Sequence, residues 1–276
     1  MSVTKPQQEE YAQNGVVCIR SAISDSLVVR IRSEIDQHLI RESAMELGGE
    51  EIPLDNEIKP DSAHKSWQAF NGWKKYASYR ELVFGSPLPA IAAELMNAVQ
   101  VQLLYDHSFN KEPGSPVPVP WHHDLTFWPV SGSQICSVWV ALDEVTTESG
   151  AVCFVRASHR WEQRFRPSLE LNSETAKIAN MLLEPCPNYF EVPGAELISW
   201  NMLPGDALVF SALTLHGSRG NNSKTKSRRA ISPRFIGEDV RFVEGVHVLT
   251  PLLDPTPWLS AGAHLVGPDF PVAWTR

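Results

Sequence analysis

Nothing in this 276-residue sequence approaches the roughly 20 consecutive apolar residues that a membrane-spanning helix needs. A surplus of positive charge is also missing. There are 24 Lys and Arg against 32 Asp and Glu, a net charge of -8. That balance argues against a nucleic-acid binder and against a basic protein of the membrane surface. Cysteine is scarce: Cys18, Cys136, Cys153 and Cys186 stand far apart. No CxxC pair exists, so there is no zinc-ribbon spacing, and we expect four reduced thiols in a cytosolic protein. The segment Met1 to Glu10 is polar and acidic, unlike a signal peptide. Repeats, linkers and low-complexity tracts are absent.

What is present is an ordinary globular composition, 43% apolar and 20% charged, in a chain long enough to bury a large core. Its 21 prolines favour many short strands and ordered loops over long helices. Residues 7–13 predict a short helix, and Val16-Val17-Cys18-Ile19 a strand. Ser24 or Asp25 caps a second helix, in which Val28, Ile31, Ile35 and Leu39 recur at helical spacing. Glu46 to Ser66 has no period and is expected to be a loop, long enough to serve as a lid. Residues 88–97 predict a further helix.

Beyond this point the pattern becomes strands: Val99–Phe109, Ile135–Leu142, Ala151–Val155, Glu196–Met202, Ala207–His216 and Ala230–Ile236, with a short helix over 173–183. Pro204-Gly205-Asp206 is a turn. Helices followed by many short strands predict an α+β, mainly β domain: an antiparallel sandwich or barrel with flanking N-terminal helices. We expect one domain over 1–276, with helices and lid in 1–98, the β core in 99–250 and an ordered tail in 251–276.

The chemistry gathers at Trp121-His122-His123-Asp124. In an extended segment, residues i and i+2 share a face, so His122 and Asp124 converge and His123 points away. A third ligand from another strand would complete a two-histidine, one-carboxylate face. Such a face leaves adjacent positions open on a ferrous ion. An HxD pair alone is weak, since 9 His and 11 Asp in this length give about 0.4 by chance. Further along, Ala207-Leu-Val-Phe-Ser-Ala-Leu-Thr-Leu runs to His216, and twelve residues later comes Arg228-Arg229-Ala230-Ile231-Ser232. Arginine offers a planar, bidentate fork to a carboxylate. Arg228 and Arg229 point to opposite faces of a strand, so one of the two enters the barrel.

WHHDLTFWP, SVWVALDEVTTESGAVCFVRASHRW and PGDALVFSALTLHGSRGNNS followed by RRAIS resemble the phytanoyl-CoA dioxygenase (PhyH-like) family of Fe(II)/2-oxoglutarate-dependent oxygenases. The similarity is close over roughly 99–236. It implies a double-stranded β-helix (jelly roll, cupin-like). It implies His122, Asp124 and His216 as iron ligands, Arg228 on the far carboxylate of 2-oxoglutarate, Trp139 beside that cosubstrate, and His107 near its other end. Fe(II), 2-oxoglutarate, O2 and a small-molecule substrate are then the expected partners, with neither nucleic acid nor membrane. A carboxylate at Asp124 favours hydroxylation, desaturation or cyclisation over halogenation, which needs a small non-ligating residue there. The resemblance is imperfect. His123 stands where the family usually has another polar residue, the interval from His216 to Arg228 is one residue longer, leaving Arg229 a rival, and Arg156-Ala157-Ser158-His159 replaces Pro-Gly-Ser-His.

Two rival readings are a cupin-like metalloprotein with non-redox chemistry and a non-catalytic binding module. His159 and His107 each have a structural alternative, and Trp139 has a packing one. Phe127, Trp128, Trp67 and Trp73 are candidate pocket residues or core. His64, Lys65, Lys74 and Lys75 form a basic cluster, read as a solvated face.

Overall fold

A computed structural model of the chain describes residues 2–40, 66–166, 183–244 and 259–276. The lid expected over 46–66 and the helix expected over 173–183 lie, but for their last residues, outside the described residues, as do His64 and Lys65. The helices are α1 (Lys5–Asn14), α2 (Asp25–Ile40), α3 (Ala77–Arg80) and α4 (Leu88–Met96). Thr4 and Gln7 close a reciprocal capping box on α1, and Gly15 ends it at φ 79. A side chain at Gly15 would meet His159 within 3 Å, so glycine is required twice over. Ser24 caps α2 through its hydroxyl, 3.3 Å from the Leu27 amide.

The strands are β1 (Val16–Ile19), β2 (Ser66–Phe70), β3 (Gln100–Lys111), β4 (Val119–His122), β5 (Val130–Ser131), β6 (Ile135–Ala141), β7 (Val152–Val155), β8 (Phe165–Arg166), β9 (Glu184–Pro185), β10 (Leu197–Ser199), β11 (Ala207–Ser211), β12 (His216–Ser218), β13 (Arg228–Ile236), β14 (Arg241–Phe242) and β15 (Val272–Thr275). The larger sheet runs β1-β11-β6-β13-β3-β15, with β2 also on β3. The smaller runs β10-β7-β12-β4. Every pairing in these two sheets is antiparallel. The fold is the expected jelly roll with N-terminal helices.

β6 explains the layering. All seven of its residues are buried, because both faces of the sheet are covered. Cys136, Val138 and Val140 join Ile31 and Ile35 of α2 and Ile91 of α4 in one core on the helical side. Trp139 and Ala141 face the other way, with Phe154 of β7 and Phe210 of β11 in a second core between the sheets. Each fully buried side chain of this kind contributes about 1.5–3 kcal/mol.

Two expectations need correction. The apolar run Ala207–His216 is not one strand. β11 stops at Ser211, where the Thr214 amide bonds back to the Ser211 carbonyl, and His216 opens β12 in the opposite sheet. An unbroken apolar run hides this crossing, since both strands and their connection are buried. The strand expected over Glu196–Met202 shrinks to β10, and Met202 instead bridges to Val145.

Candidate active site

β4 and β12 are neighbours in the smaller sheet, and their register places His122 directly opposite His216. One residue past β4, His123 is extended, and Asp124 starts a 3-10 turn over Asp124–Phe127. Alternation therefore carries His122 and Asp124 to one side and His123 to the other. The Nε2 atoms of His122 and His216 stand 3.5 and 3.7 Å from Asp124 Oδ1. Ligand atoms of the three residues all lie within 4.8 Å of one another, the one such group of three found among the described residues. Donor atoms this close together could share one metal ion after a small contraction.

Neighbouring atoms fix each of these side chains. Both histidines donate Nδ1–H to the carbonyl two residues earlier, His122 to Pro120 at 2.7 Å and His216 to Thr214 at 2.9 Å. That tautomer leaves Nε2 with a free lone pair toward the centre. Burial, then the nearby His122 ring, pushes His216 down to about 3, so it is neutral as a ligand must be. Burial opposes ionisation of Asp124, but His216, Arg234 and His122 outweigh it and hold the carboxyl below its ordinary range. Its second oxygen accepts from Ser137 Oγ at 2.5 Å.

His123 is fully buried away from this centre. It stacks on Phe165 at 5.7 Å, and its Nδ1 lies 2.8 Å from the Leu213 carbonyl.

A cavity of about 200 Å³ surrounds the triad. At one end of it, Arg228 of β13 lies opposite Lys111 of β3. Arg228 is 2% exposed, its Cζ is 5.4 Å from the Trp139 ring centre, and its Nε has no hydrogen-bond partner. Burial lowers its pKa to about 10. Lys111 Nζ donates to Ser218 Oγ at 3.0 Å and to the Arg219 carbonyl at 2.8 Å. Burial and the Arg228 charge push Lys111 down to about 6. A buried guanidinium and a buried amine, with no carboxylate in salt-bridge reach among the described residues, are suited to receive an anion.

Arg229 goes elsewhere. Its guanidinium is held by Asp143, with contacts of 2.8 Å, and by Asp36 of α2 at 2.5 and 2.7 Å. It is a structural clamp between sheet and helix, outside the cavity.

His107 lines the cavity, packed between Phe70 and Phe109 at 3.9 and 3.8 Å, with Nε2 2.9 Å from Gln68 Oε1. Phe127 and Trp128 also line it. Trp73 packs on the helical-side core instead. His159 holds a turn, its Nε2 3.3 Å from the Ala12 carbonyl. Lys74 is paired with Asp269 at 2.9 Å, in keeping with a solvated face. The sequence reading missed Lys111, Ser137 and Arg234, whose places depend on cross-strand register.

The model of the phytanoyl-CoA dioxygenase (PhyH) family matches residues 11–230. The chain belongs to this family. Peroxisomal phytanoyl-CoA dioxygenase of Rattus norvegicus is 23% identical over 243 residues, 86% of this chain and 69% of that protein. Among solved structures, the non-heme alpha ketoglutarate dependent carbocyclase SnoK from nogalamycin biosynthesis aligns with a TM-score of 0.75 and 22% identity, covering 99% of this chain and 97% of that one. The epimerase SnoN, solved in complex with Fe3+, alpha ketoglutarate and nogalamycin RO, aligns with a TM-score of 0.71 and 21% identity over 98% of both chains.

The donor set fits iron and 2-oxoglutarate. Two imidazoles and a carboxylate on one face suit a ferrous ion with open positions. The orphaned Arg228 Nε and the neighbouring Lys111 fit the far end of a dicarboxylate.

Proposed function

We propose that this protein is an Fe(II)/2-oxoglutarate-dependent dioxygenase that hydroxylates an unactivated C–H bond of a small metabolite or natural-product intermediate. The observation that carries the reading is the convergence of His122, Asp124 and His216 in one cavity with a buried arginine that has no salt-bridged carboxylate among the described residues. When bound, iron and 2-oxoglutarate supply an oxidant strong enough for such a bond, with succinate and CO2 as coproducts.

The chain's own work is positioning and exclusion of water. His122 and His216 present Nε2, because their Nδ1 protons are committed to Pro120 and Thr214. Ser137 fixes Asp124. Arg228 and Lys111 would hold the distal carboxylate of 2-oxoglutarate, Trp139 packs on Arg228, and His107 would border the cosubstrate from the cavity wall. A cupin-like metalloprotein doing isomerisation would have no work for Arg228. The nogalamycin-pathway likenesses support a role in secondary metabolism.

The test is anaerobic loading with Fe(II) and 2-oxoglutarate, followed by O2 and assay of succinate. Succinate formation that disappears in Asp124→Ala is expected. A protein that cannot be loaded with iron, or that binds iron without 2-oxoglutarate, overturns the reading.

A further inference from the structure

The inner face of β13 carries a second buried guanidinium. Arg228, Ala230, Ser232 and Arg234 alternate onto that face, and Arg228 and Arg234 both line the cavity. Six residues of strand, roughly 20 Å, separate their Cα atoms. Arg234 lies opposite Tyr105 of β3 and Ser137 of β6, and Ser137 is the residue that holds Asp124.

Arg234 is 5% exposed. Its Nη1 donates to the Ser232 carbonyl at 2.5 Å, its Cζ stands 5.2 Å from the Tyr105 ring centre, and its Nε has no hydrogen-bond partner. No carboxylate lies within salt-bridge distance of it among the described residues. The two nearest acids are otherwise engaged. Asp124 faces the histidines and Ser137, and Asp106 accepts from the Gly72 and Trp73 amides. The surrounding cavity wall is aromatic: Phe70, Tyr105, Phe127 and Trp128.

Buried charges in folded proteins are paired. Arg234 helps keep Asp124 and Asp106 ionised from a distance, yet neither guanidinium on this cavity face has a carboxylate in salt-bridge contact among the described residues, which leaves room for two anions. On the dioxygenase reading, 2-oxoglutarate would bring one carboxylate away from the metal, and the Arg228–Lys111 pair would take it. We propose that Arg234 anchors an anionic group of the primary substrate, a carboxylate or a phosphorus oxyanion, while the aromatic wall holds an apolar body. The substrate class is an amphiphilic anion. This rests on the dioxygenase reading.

The test is calorimetry on protein loaded with redox-inert Mn(II) and saturated with N-oxalylglycine, which fills the Arg228 end. The probes are benzoate, 3-phenylpropionate and hexanoate, each beside its neutral amide. At least one acid is expected to bind about tenfold or more tighter than its amide, the scale of a buried charged hydrogen bond. Arg234→Met removes that preference and Arg234→Lys retains part of it, with N-oxalylglycine affinity little changed in both. Unfolding temperature controls for the fold of each variant. Equal binding of acids and amides, saturable binding of no acid, or a preference that survives Arg234→Met overturns the proposal. So does loss of N-oxalylglycine or Mn(II) affinity in both variants, which makes Arg234 a support for the centre. Failure of N-oxalylglycine to bind the wild type overturns the dioxygenase reading, and this one with it.

Discussion

Adjacent arginines with opposite duties allow a double dissociation. Replacing Arg228 with methionine keeps the aliphatic stem and deletes the fork. Arg228 is a buried cation whose ionisation is already disfavoured, and among the described residues its loss leaves no salt-bridged acid stranded. The unfolding temperature should hold or rise. Binding of 2-oxoglutarate or N-oxalylglycine should suffer, because the distal carboxylate would enter a buried pocket without its fork. Truncating one partner of such a pair costs about 3 kcal/mol, roughly 150-fold in affinity. Arg229→Met should do the reverse. It strands Asp143, 9% exposed, which among the described residues keeps an ion pair with Arg32 Nη2 at 3.3 Å. That costs about 2–3 kcal/mol of stability, or roughly 3–5 °C in unfolding temperature for a domain of this size. Ligand affinity should barely move. Calorimetric titration with N-oxalylglycine and thermal unfolding of both variants read the two effects. Comparable loss of ligand affinity in Arg229→Met, or full affinity in Arg228→Met, would refute the reasoning.

Three further outcomes are expected. Ser137→Ala frees the second oxygen of Asp124 and should weaken Mn(II) or Fe(II) binding about 10- to 100-fold; an unchanged metal titration would mean that Asp124 is held by other contacts. Lys111, pushed down to about 6 by burial and Arg228, is mostly neutral at pH 7.5 before ligand enters. An arriving carboxylate raises that pKa, so binding takes up a proton and affinity falls as pH rises above about 6. Titrations in two buffers of different ionisation enthalpy should differ in heat, and Lys111→Met should abolish the difference; equal heats in wild type would count against this. Ala157 stands at φ 58, in the left-handed region where the family turn has glycine. Ala157→Gly should stabilise the fold by up to about 1 kcal/mol, and no rise in unfolding temperature would show that the turn carries no such strain.

Much of the site was legible because period-two alternation is a strong local rule. It separated His122 and Asp124 from His123, and Arg228 from Arg229, and the structure places them accordingly. Alternation by itself did not say which arginine faced inward; the family resemblance did. The partners of Arg229 settle the matter physically, but Asp36 lies 193 residues away on α2, beyond any local rule. Lys111 and Ser137 escaped notice for the same reason. Their meaning comes from lying across the ladder from Arg228 and Arg234. Arg234 did leave a trace: it continues the inward parity of Arg228 in a strand where charge is otherwise out of place. The crossing between β11 and β12 left none, since its residues are apolar on both sides of the break.

The central claim is that one ferrous ion is held by three side chains next to the Arg228 fork. A crystal structure of the protein grown without oxygen, with Fe(II) and 2-oxoglutarate, tests it most directly when anomalous scattering at the iron edge locates the metal. A single iron is expected on His122 Nε2, Asp124 and His216 Nε2, with the distal carboxylate of 2-oxoglutarate on Arg228. Iron bound elsewhere, or that carboxylate on Arg229 or Arg234, would contradict it.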